Sequence, residues 1–331
     1  MRDIKIFKLS AAFVVGICVI ANLVALLITI KNYTPLENKN VSSESARIIG
    51  GVSSKSNEFP FAAVVKISHE KFIYTCGSTI LSDKFLVTAA HCVYIQSQKI
   101  RPNNTRIGLG SRNIKEVKVL EPLRFHVHPK YIADKNVTIF TFSCVQKKKL
   151  KESLTFGPGL QTAKIDLRKI EENTEVTALG WGITSNESTL PSQELMETSL
   201  FIQKPQECSK VRPNFTSNNL DYICAANGVQ GKDTCYGDSG APIIRTQKPL
   251  NAYSVLGLTS YGDIIGNVDM LKKPKCADPK GFGFYTHIGY YIYFISNVTG
   301  IPFETLALDS AAENSQIITE FDTETKADVL S

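Results

Sequence analysis

The chain has 331 residues, of which 43% are hydrophobic, and its formal net charge is +6. A chain of this length and apolar content can bury a substantial core in one or two domains. The basic residues are mostly scattered singly and the one dense patch, residues 147–151, is interpreted as a solvated loop, so the positive charge does not predict a nucleic-acid partner.

The amino end carries a targeting segment. Residues 1–8 contain three cations and precede an apolar run of 22 residues, 9–30. At a rise of about 1.5 Å per residue, a helix of that length crosses a hydrocarbon layer of about 30 Å. The cations predict a cytoplasmic amino terminus and a type II single-pass membrane protein, with the body of the chain outside the cell. The alternative is a signal peptide cleaved after Ala21, which would make the protein secreted.

Residues 31–47 are short and polar and are interpreted as a stem or propeptide. Residues 48–302 are expected to form one folded domain. Short apolar runs alternate in it with turn-forming residues, and they are Ala62–Ile67, Phe85–Ala90, Val137–Phe142, Val176–Leu179, Ala241–Ile244 and Tyr253–Thr259. Runs of that length and spacing predict an all-β sandwich or barrel.

Residues 303–331 form an acidic tail. It contains Lys326 as its one cation, against Glu304, Asp309, Glu313, Glu320, Asp322, Glu324 and Asp328. Because the segment also has few large apolar residues, it is predicted to be disordered.

Cysteines and glycosylation sequons favour an oxidising, extracellular compartment. Of eight cysteines, Cys18 lies in the apolar run and seven remain, which is an odd number. Asn-x-Ser/Thr sequons occur at Asn32, Asn40, Asn103, Asn136, Asn186, Asn214 and Asn297. Together they predict a disulfide-bonded glycoprotein.

Two motifs far apart in the chain indicate nucleophilic catalysis. The first is Thr-Ala-Ala-His-Cys at residues 88–92, and the second is Asp-Thr-Cys-Tyr-Gly-Asp-Ser-Gly-Ala-Pro at residues 233–242. A serine hydroxyl needs a neighbouring imidazole to take its proton and backbone N–H donors for the oxyanion that forms. On these residues the chain resembles the trypsin-like, chymotrypsin-fold serine proteases.

The resemblance covers about Ile48 to Val298 and implies two antiparallel six-stranded β-barrels with the active site between them. It also implies a carboxy-terminal helix near His287–Ile295. In the family's scheme His91 is the general base, Ser239 is the nucleophile, and the N–H groups of Gly237 and Ser239 form the oxyanion hole. Ala241 stands where most relatives have glycine, and this change is expected to be tolerated.

The same resemblance implies activation by proteolysis. The motif Arg47-Ile48-Ile49-Gly50-Gly51 matches the family's cleavage site, so the chain is interpreted as a zymogen. Cutting after Arg47 would release the Ile48 ammonium group, which is expected to pair with Asp238.

Specificity is predicted from four positions that match the family's substrate pocket. Asp233 is expected at the pocket floor, Ser260 and Gly262 on the strand that pairs with substrate, and Gly283 on the opposite wall. An acidic floor between glycine walls favours cleavage after Arg or Lys.

Family spacing pairs Cys76 with Cys92, Cys208 with Cys224, and Cys235 with Cys276, which leaves Cys144 over. A further disulfide of the family is absent, because Val176 and Arg245 occupy its two positions.

One catalytic position departs from the family. The family's third catalytic residue is an Asp that opens a buried apolar strand, and Asn136 occupies that slot before Val137. Asp134 is the alternative, but it would place Lys135 and Asn136 at buried strand positions. An asparagine amide cannot stabilise the imidazolium electrostatically, so the enzyme is predicted to be slowed. Asn136 is expected to carry no sugar.

These observations predict a serine endopeptidase acting on proteins or peptides after Arg or Lys, with protease inhibitors as further partners. The alternative is a catalytically impaired homologue that acts as a binding or regulatory protein. No cofactor and no metal are predicted.

Overall fold

A computed structural model describes residues 48–95, 97–131, 155–246, 253–267 and 274–308, and the backbone alone of residues 143–147. The segments 9–30 and 31–47 therefore lie outside the described residues, as do Arg47, Asp134 and Asn136. In the part of the chain that is described, no helix is both long enough and apolar enough to span a bilayer.

Two antiparallel sheets form the body of the described protein. The first contains, in spatial order, β8 (Lys118–Leu120), β7 (Thr105–Leu109), β2 (Ala62–His69), β3 (Phe72–Ile80), β4 (Phe85–Thr88), β10 (Ser143–Lys147) and β9 (Pro122–Val127). The second contains β1 (Val52–Ser53), β13 (Met196–Ile202), β12 (Glu175–Gly180), β15 (Pro242–Arg245), β17 (Gly257–Ile264), β18 (Gly281–His287) and β14 (Tyr222–Ala226).

The second sheet closes on itself, because β13 pairs with β14 as well as with β12. Six strands thus form a closed barrel and β1 is added outside it. This barrel has the six strands that were expected, and the first sheet has seven. Two short pairs complete the strands, namely β5 (Tyr94–Ile95) with β6 (Gln98–Lys99), and β11 (Lys164–Ile165) with β16 (Ser254–Val255).

Alternation of buried and partly exposed residues explains the strands. In β13 the side chains of Met196, Thr198, Leu200 and Ile202 are buried, and the residues between them are partly exposed. This two-residue period is that of a strand with one face in the core. The all-β fold class and the antiparallel pairing expected from the sequence are confirmed.

Three short α-helices are described, and they are α1 (Pro205–Cys208), α2 (Ile292–Thr299) and α3 (Phe303–Leu306). Turns of 3₁₀ helix cover Ala90–Val93, Pro102–Asn104 and Gly228–Gln230. Helix α2 is the expected carboxy-terminal helix. It ends at Thr299 and is capped by Gly300, whose φ of 68° is the left-handed conformation that closes many helices.

The predicted start of the disordered tail, residue 303, is wrong by at least six residues. Helix α3 begins there, Leu306 is buried, and the N–H of Leu308 donates to the carbonyl oxygen of Ile165 at 2.9 Å. Leu306 and Ala307 are buried in the core and Phe303 packs against it, which docks this segment although the tail is acidic overall.

The three predicted disulfides are present, and they join Cys76 to Cys92, Cys208 to Cys224, and Cys235 to Cys276. Cys144 lies on β10, where its backbone pairs with Val87 and His126, and its side chain is outside the described residues.

At the position of the family's missing disulfide, Val176 and Arg245 are direct partners across β12 and β15. Arg245 turns to a buried carboxylate instead, with its Nε 3.1 Å from Asp166 Oδ2. Asp166 is fully buried and also binds Arg168, at 2.6 Å. Burial by itself would raise the pKa of Asp166, but the hydrogen bond from Arg168 and the charges of Arg245 and Arg168 outweigh burial and lower it.

Candidate active site

His91 lies in the 3₁₀ turn that follows β4. The turn is fixed on both sides, because Thr88 donates its hydroxyl to the carbonyl oxygen of Gly77 at 2.6 Å and Cys92 is bonded to Cys76 on β3. The Cys92 N–H also donates to Ala89 O at 3.1 Å. The turn that carries His91 is therefore held in place at the end of β4.

Ser239 lies in a tight turn before β15. The Asp238 N–H donates to Cys235 O at 3.0 Å, and the Ala241 N–H donates to Asp238 O at 2.9 Å. Gly237 and Gly240 have φ values of 100° and 79°, which residues with a Cβ rarely adopt. The two glycines of the motif therefore have a conformational role on either side of Asp238 and Ser239.

The structure brings the His91 turn and the Ser239 turn into contact. The Gly77 N–H donates to the carbonyl oxygen of Ser239 at 2.8 Å, and Cys92 Sγ lies 3.5 Å from the same oxygen. Gly240 packs so closely that an added Cβ would lie 2.6 Å from Gly77 O and would overlap the Thr88 hydroxyl. Residues separated by almost 150 positions in sequence thus meet where the predicted base and nucleophile stand.

Ala241 is accommodated, as expected, because its neighbour across the contact is Gly77. A Cβ on Gly77 would overlap the Ala241 methyl group, so the missing side chain of Gly77 leaves room for that methyl group. Ala241 is fully buried there.

The imidazole of His91 is partly exposed, yet its Nδ1 is buried and has no hydrogen-bond partner among the residues that the structure describes. Burial lowers the pKa of His91 to about 4, because the charged form loses its hydration. The ring is consequently neutral at physiological pH, which a general base requires. A buried ring nitrogen normally has a partner, so this atom marks the place where a third residue is needed.

Two backbone donors beside Ser239 are available. Among the described residues, no hydrogen bond uses the N–H of Gly237 or of Ser239. Donors of this kind stabilise the oxyanion of a tetrahedral intermediate, and each contributes about 10²–10³ in rate.

Asp233 lies just before this turn with its carboxylate poorly solvated. Its Oδ2 accepts a hydrogen bond from the Ala277 N–H at 2.9 Å. Burial raises the pKa of Asp233 to about 6, and hydrogen bonds from the Ala277 and Thr234 backbones oppose that effect only in part. Such a carboxylate is stabilised by a bound cation.

The predicted pocket walls are direct neighbours, since Gly262 on β17 pairs with Gly283 on β18. An added Cβ on Gly283 would lie 2.8 Å from the Tyr285 hydroxyl, and that hydroxyl lies 2.9 Å from Thr234 Oγ1. At Gly262 an added Cβ would meet only Phe282 O, at 3.5 Å. The wall at Gly262 therefore borders open space, and the wall at Gly283 is closed by Tyr285.

Ser260 lies at an irregularity of the β17–β18 pairing, where the register shifts between Thr259 and Tyr261. The residue is 5% exposed. The bulge interrupts regular pairing next to Gly262, on the strand expected to align substrate.

Asp238 is fully buried, and two backbone groups bind its carboxylate. The Gly182 N–H donates to Oδ1 at 2.7 Å and the Cys235 N–H donates to Oδ2 at 2.8 Å. Burial raises the pKa of Asp238 to about 7 despite these bonds. An added Cβ on Gly180 or Gly182 would overlap this carboxyl group.

Sequence reasoning missed several residues that shape the site. Gly180 and Gly182 make room for Asp238, and the Gly-Trp-Gly pattern around Trp181 was the available signal. Ala277 and Asn186 also bear on the pocket, and nothing in the local sequence indicated them.

No group of three His, Cys, Asp or Glu residues that could hold a metal ion occurs within the described ranges. A closed six-stranded barrel and the contact between the His91 and Ser239 turns are the features of a serine endopeptidase of the chymotrypsin fold.

Comparison with known proteins agrees. The Trypsin family model matches residues 48–295, and the chain belongs to that family. It is 28% identical over 280 residues to a trypsin of Phaedon cochleariae, covering 83% of this chain and 95% of that protein.

Two other relatives are also insect proteases. The chain is 28% identical over 276 residues to CLIP domain-containing serine protease B14 of Anopheles gambiae, covering 74% of this chain and 70% of the relative. It is 30% identical over 270 residues to venom serine protease 34 of Apis mellifera, covering 77% of this chain and 59% of the relative.

Proposed function

We propose that this serine endopeptidase cleaves proteins or peptides after Arg or Lys. The observation that carries the proposal is the half-buried carboxylate of Asp233, which accepts a hydrogen bond from the Ala277 N–H, lies six residues before Ser239 and has a pKa raised to about 6 by desolvation. An Arg or Lys side chain entering past Gly262 would supply the cation that this carboxylate lacks, and a guanidinium could bind it with two hydrogen bonds.

The chemistry follows from the roles of two side chains. His91 Nε2 takes the hydroxyl proton of Ser239 as the serine oxygen attacks the scissile carbonyl carbon, and the Gly237 and Ser239 N–H groups stabilise the resulting oxyanion. His91 then gives the proton to the leaving amine, and water hydrolyses the acyl-enzyme by the same steps.

The protease is made as a zymogen in this proposal and is activated by cleavage after Arg47. Support comes from the residues that follow the cut: Ile48 is fully buried, and Ile49 bridges to Asp233. Asp238 is a buried carboxyl group whose pKa of about 7 leaves it poorly stabilised as an anion. The Ile48 ammonium created by cleavage would be its counter-ion.

Asn136 occupies the third catalytic position in this proposal. Two observations support it. His91 Nδ1 has no hydrogen-bond partner in the described part of the chain, and Ser143, the first residue of β10, pairs with Thr88, three residues before His91. Asn136 precedes Ser143 by seven residues. With the Asn136 amide in that position, the enzyme would be slow. The replacement of the catalytic aspartate by asparagine also favours the second candidate function, a homologue that binds proteins without cleaving them.

The domain is placed outside the cell, because three disulfides are typical of an oxidising compartment. Residues 9–30 would anchor it as a type II membrane protein, or it would be secreted after cleavage at Ala21. Protease inhibitors that present Arg or Lys are the expected protein partners.

The test uses full-length protein cut after Arg47 and an uncharged fluorophosphonate that labels active serines. Labelling is expected at Ser239 and is absent in Ser239→Ala. Hydrolysis of an arginyl peptide should exceed that of a matched glutamyl peptide. If Ser239 is not labelled, the proposal of an active protease is contradicted and the binding homologue is favoured. If Ser239 is labelled but the arginyl peptide is not preferred, the proposed specificity for Arg or Lys is contradicted.

A further inference from the structure

Asn186 forms a closed pair of hydrogen bonds with Cys276, 90 positions away. The Cys276 N–H donates to Asn186 Oδ1 at 2.9 Å, and Asn186 Nδ2 donates to the Cys276 carbonyl oxygen at 3.1 Å. Both bonds use the edge of the amide on which Oδ1 and one hydrogen of Nδ2 lie side by side. A side chain used in this way fixes both the position and the orientation of the backbone it binds.

The segment that Asn186 binds leads directly to Asp233. We call residues 274–277 the pocket strap. Cys276 is bonded to Cys235, and the next N–H, that of Ala277, donates to Asp233 Oδ2 at 2.9 Å. The other end of the strap is held by the Tyr236 hydroxyl, which donates to Pro274 O at 2.8 Å.

Ala277 needs such support, because its φ of 59° is left-handed. A residue with a Cβ adopts that conformation at a cost of about 1–3 kcal/mol and keeps it only where its surroundings fix it. Without the two Asn186 bonds, of the described contacts only the disulfide to Cys235 would hold Cys276, so Ala277 could relax to an ordinary conformation and its N–H would turn away from Asp233.

Asn186 is also a sequon, with Ser188 two residues on. N-glycosylation would transfer a glycosyl group from an activated glycosyl diphosphate. The C1–Nδ2 bond forms, the C1–O bond to the diphosphate breaks, and one Nδ2 hydrogen leaves as a proton. The product is a secondary amide, and its trans form places C1 on the same side as Oδ1. That is the edge which binds Cys276.

We infer that Asn186 is a positioning residue of the pocket, which holds Cys276 so that the Ala277 N–H reaches Asp233, and that a sugar on Asn186 disables this arrangement. The inference rests on the proposed function, since it assigns Asp233 to a cation. Asn186 itself contacts neither substrate nor the reacting atoms.

The experiment compares three full-length variants with the parent, all cut after Arg47 and made with sequon occupancy monitored by glycopeptide mass spectrometry. Asn186→Ala removes the amide, whereas Ser188→Ala removes the sequon and keeps the amide. Asn297→Ala removes another exposed sequon on α2. The probes are benzamidine, a small aryl amidine, and the uncharged fluorophosphonate.

Asn186→Ala should bind benzamidine about tenfold more weakly, since two hydrogen bonds that fix the strap are lost. The KM for an arginyl peptide should rise more than kcat falls, and Ser239 labelling should stay within about twofold. The pH of half-maximal benzamidine binding should move up from about 6, because Asp233 loses a donor. Ser188→Ala should bind benzamidine as the unglycosylated parent does, although it loses the bonds of Ser188 Oγ to the Leu190 backbone, and Asn297→Ala should behave as the parent does.

Parent molecules with a sugar on Asn186 should pass through a benzamidine column that retains the others. Equal benzamidine binding by Asn186→Ala, or retention of the Asn186-glycosylated form, would overturn the inference. If the parent itself binds no benzamidine, the proposed specificity fails instead. Hydrogen exchange then decides on Asn186: the amides of Cys276 and Ala277 should exchange faster in Asn186→Ala, and unchanged rates contradict the inference.

Discussion

Asp233 donates its backbone N–H to the carbonyl oxygen of Ile49 at 3.0 Å, and the two residues form an antiparallel bridge. Ile49 stands two residues after the proposed cleavage site, so the activation segment and the proposed pocket floor are joined by one hydrogen bond. Gly50 tightens the junction, because an added Cβ there would meet Gly231 O and Lys232. A shift of the segment on cleavage would therefore act directly on the backbone of Asp233.

Asp233→Asn removes the charge of the floor and keeps its shape. We expect kcat/KM for an arginyl peptide to fall about 100-fold, since the cation would be buried without a counter-charge. Asp263→Asn, on the neighbouring β17, is the matched control, because its Oδ1 can still accept from the Ile264 N–H. Equal losses in both variants would show that the effect is structural and that Asp233 does not bind the cation.

The pH profiles of two activities should distinguish the titration of His91 from that of Asp233. Labelling of Ser239 by an uncharged fluorophosphonate depends on neutral His91 and not on Asp233, and it should fall as the pH drops through about 4. For an arginyl peptide kcat/KM also needs ionised Asp233, and it should fall earlier, through about 6. Both activities are present above the respective pKa and lost below it. If labelling and kcat/KM fell at the same pH, the loss of kcat/KM near pH 6 could not be assigned to Asp233.

Asn136→Asp should restore the partner of the His91 imidazolium. The reverse exchange in serine proteases costs about 10⁴ in kcat, so a rise of several orders of magnitude in arginyl-peptide turnover is expected. The new carboxylate should also raise the pKa of His91, so Ser239 labelling should be lost at a pH above about 4.

Thr141→Asp is the comparison for that experiment. Thr141 stands two residues before Ser143, the first residue of β10, whereas Asn136 stands seven before it. Activation by Asp at residue 141 and not at 136 would move the third catalytic position to Thr141. A flat response to both exchanges would contradict the assignment of the third catalytic position to Asn136.

Arg245→Met should destabilise the second barrel by about 2–3 kcal/mol in urea unfolding at pH 7. Buried Asp166 would keep Arg168 and lose its other partner, and losing one member of a buried ion pair typically costs about 3–5 kcal/mol. Lys169→Met, which breaks an exposed pair with Glu171, should stay within about 1 kcal/mol of the parent.

The Asp166 carboxylate should make the free energy of unfolding depend on pH in the acidic range. The pKa of Asp166 is lower in the folded than in the unfolded protein, so its stabilisation is complete above the unfolded value and is lost as pH falls through the folded one. The difference between the parent and Arg245→Met should shrink in that acidic range. A constant difference would mean that Arg245 acts through packing alone.

Much of the site was predictable, because each catalytic motif is continuous in sequence and its neighbours are fixed by local chemistry. The segments around His91 and Ser239 carry their own glycines and cysteines, and all three disulfides followed from family spacing. The Asn186–Cys276 pair was not predictable, since it depends on the conformations of two loops 90 residues apart. Composition also misplaced the start of the tail, because it averages over residues and cannot register the docking of Leu306 and Ala307.

The family's disulfide between β12 and β15 is missing, and an ion pair from Arg245 on β15 to Asp166 is present instead, which changes how the molecule should respond to a reductant. Thiols can open the three disulfides, which hold the His91 turn, the α1 loop and the pocket strap. The ion pair between Arg245 and Asp166 is not affected by a reductant. In a reducing medium the barrel should therefore persist after the loops around the cleft have loosened, and proteolytic activity should vanish well before the fold does.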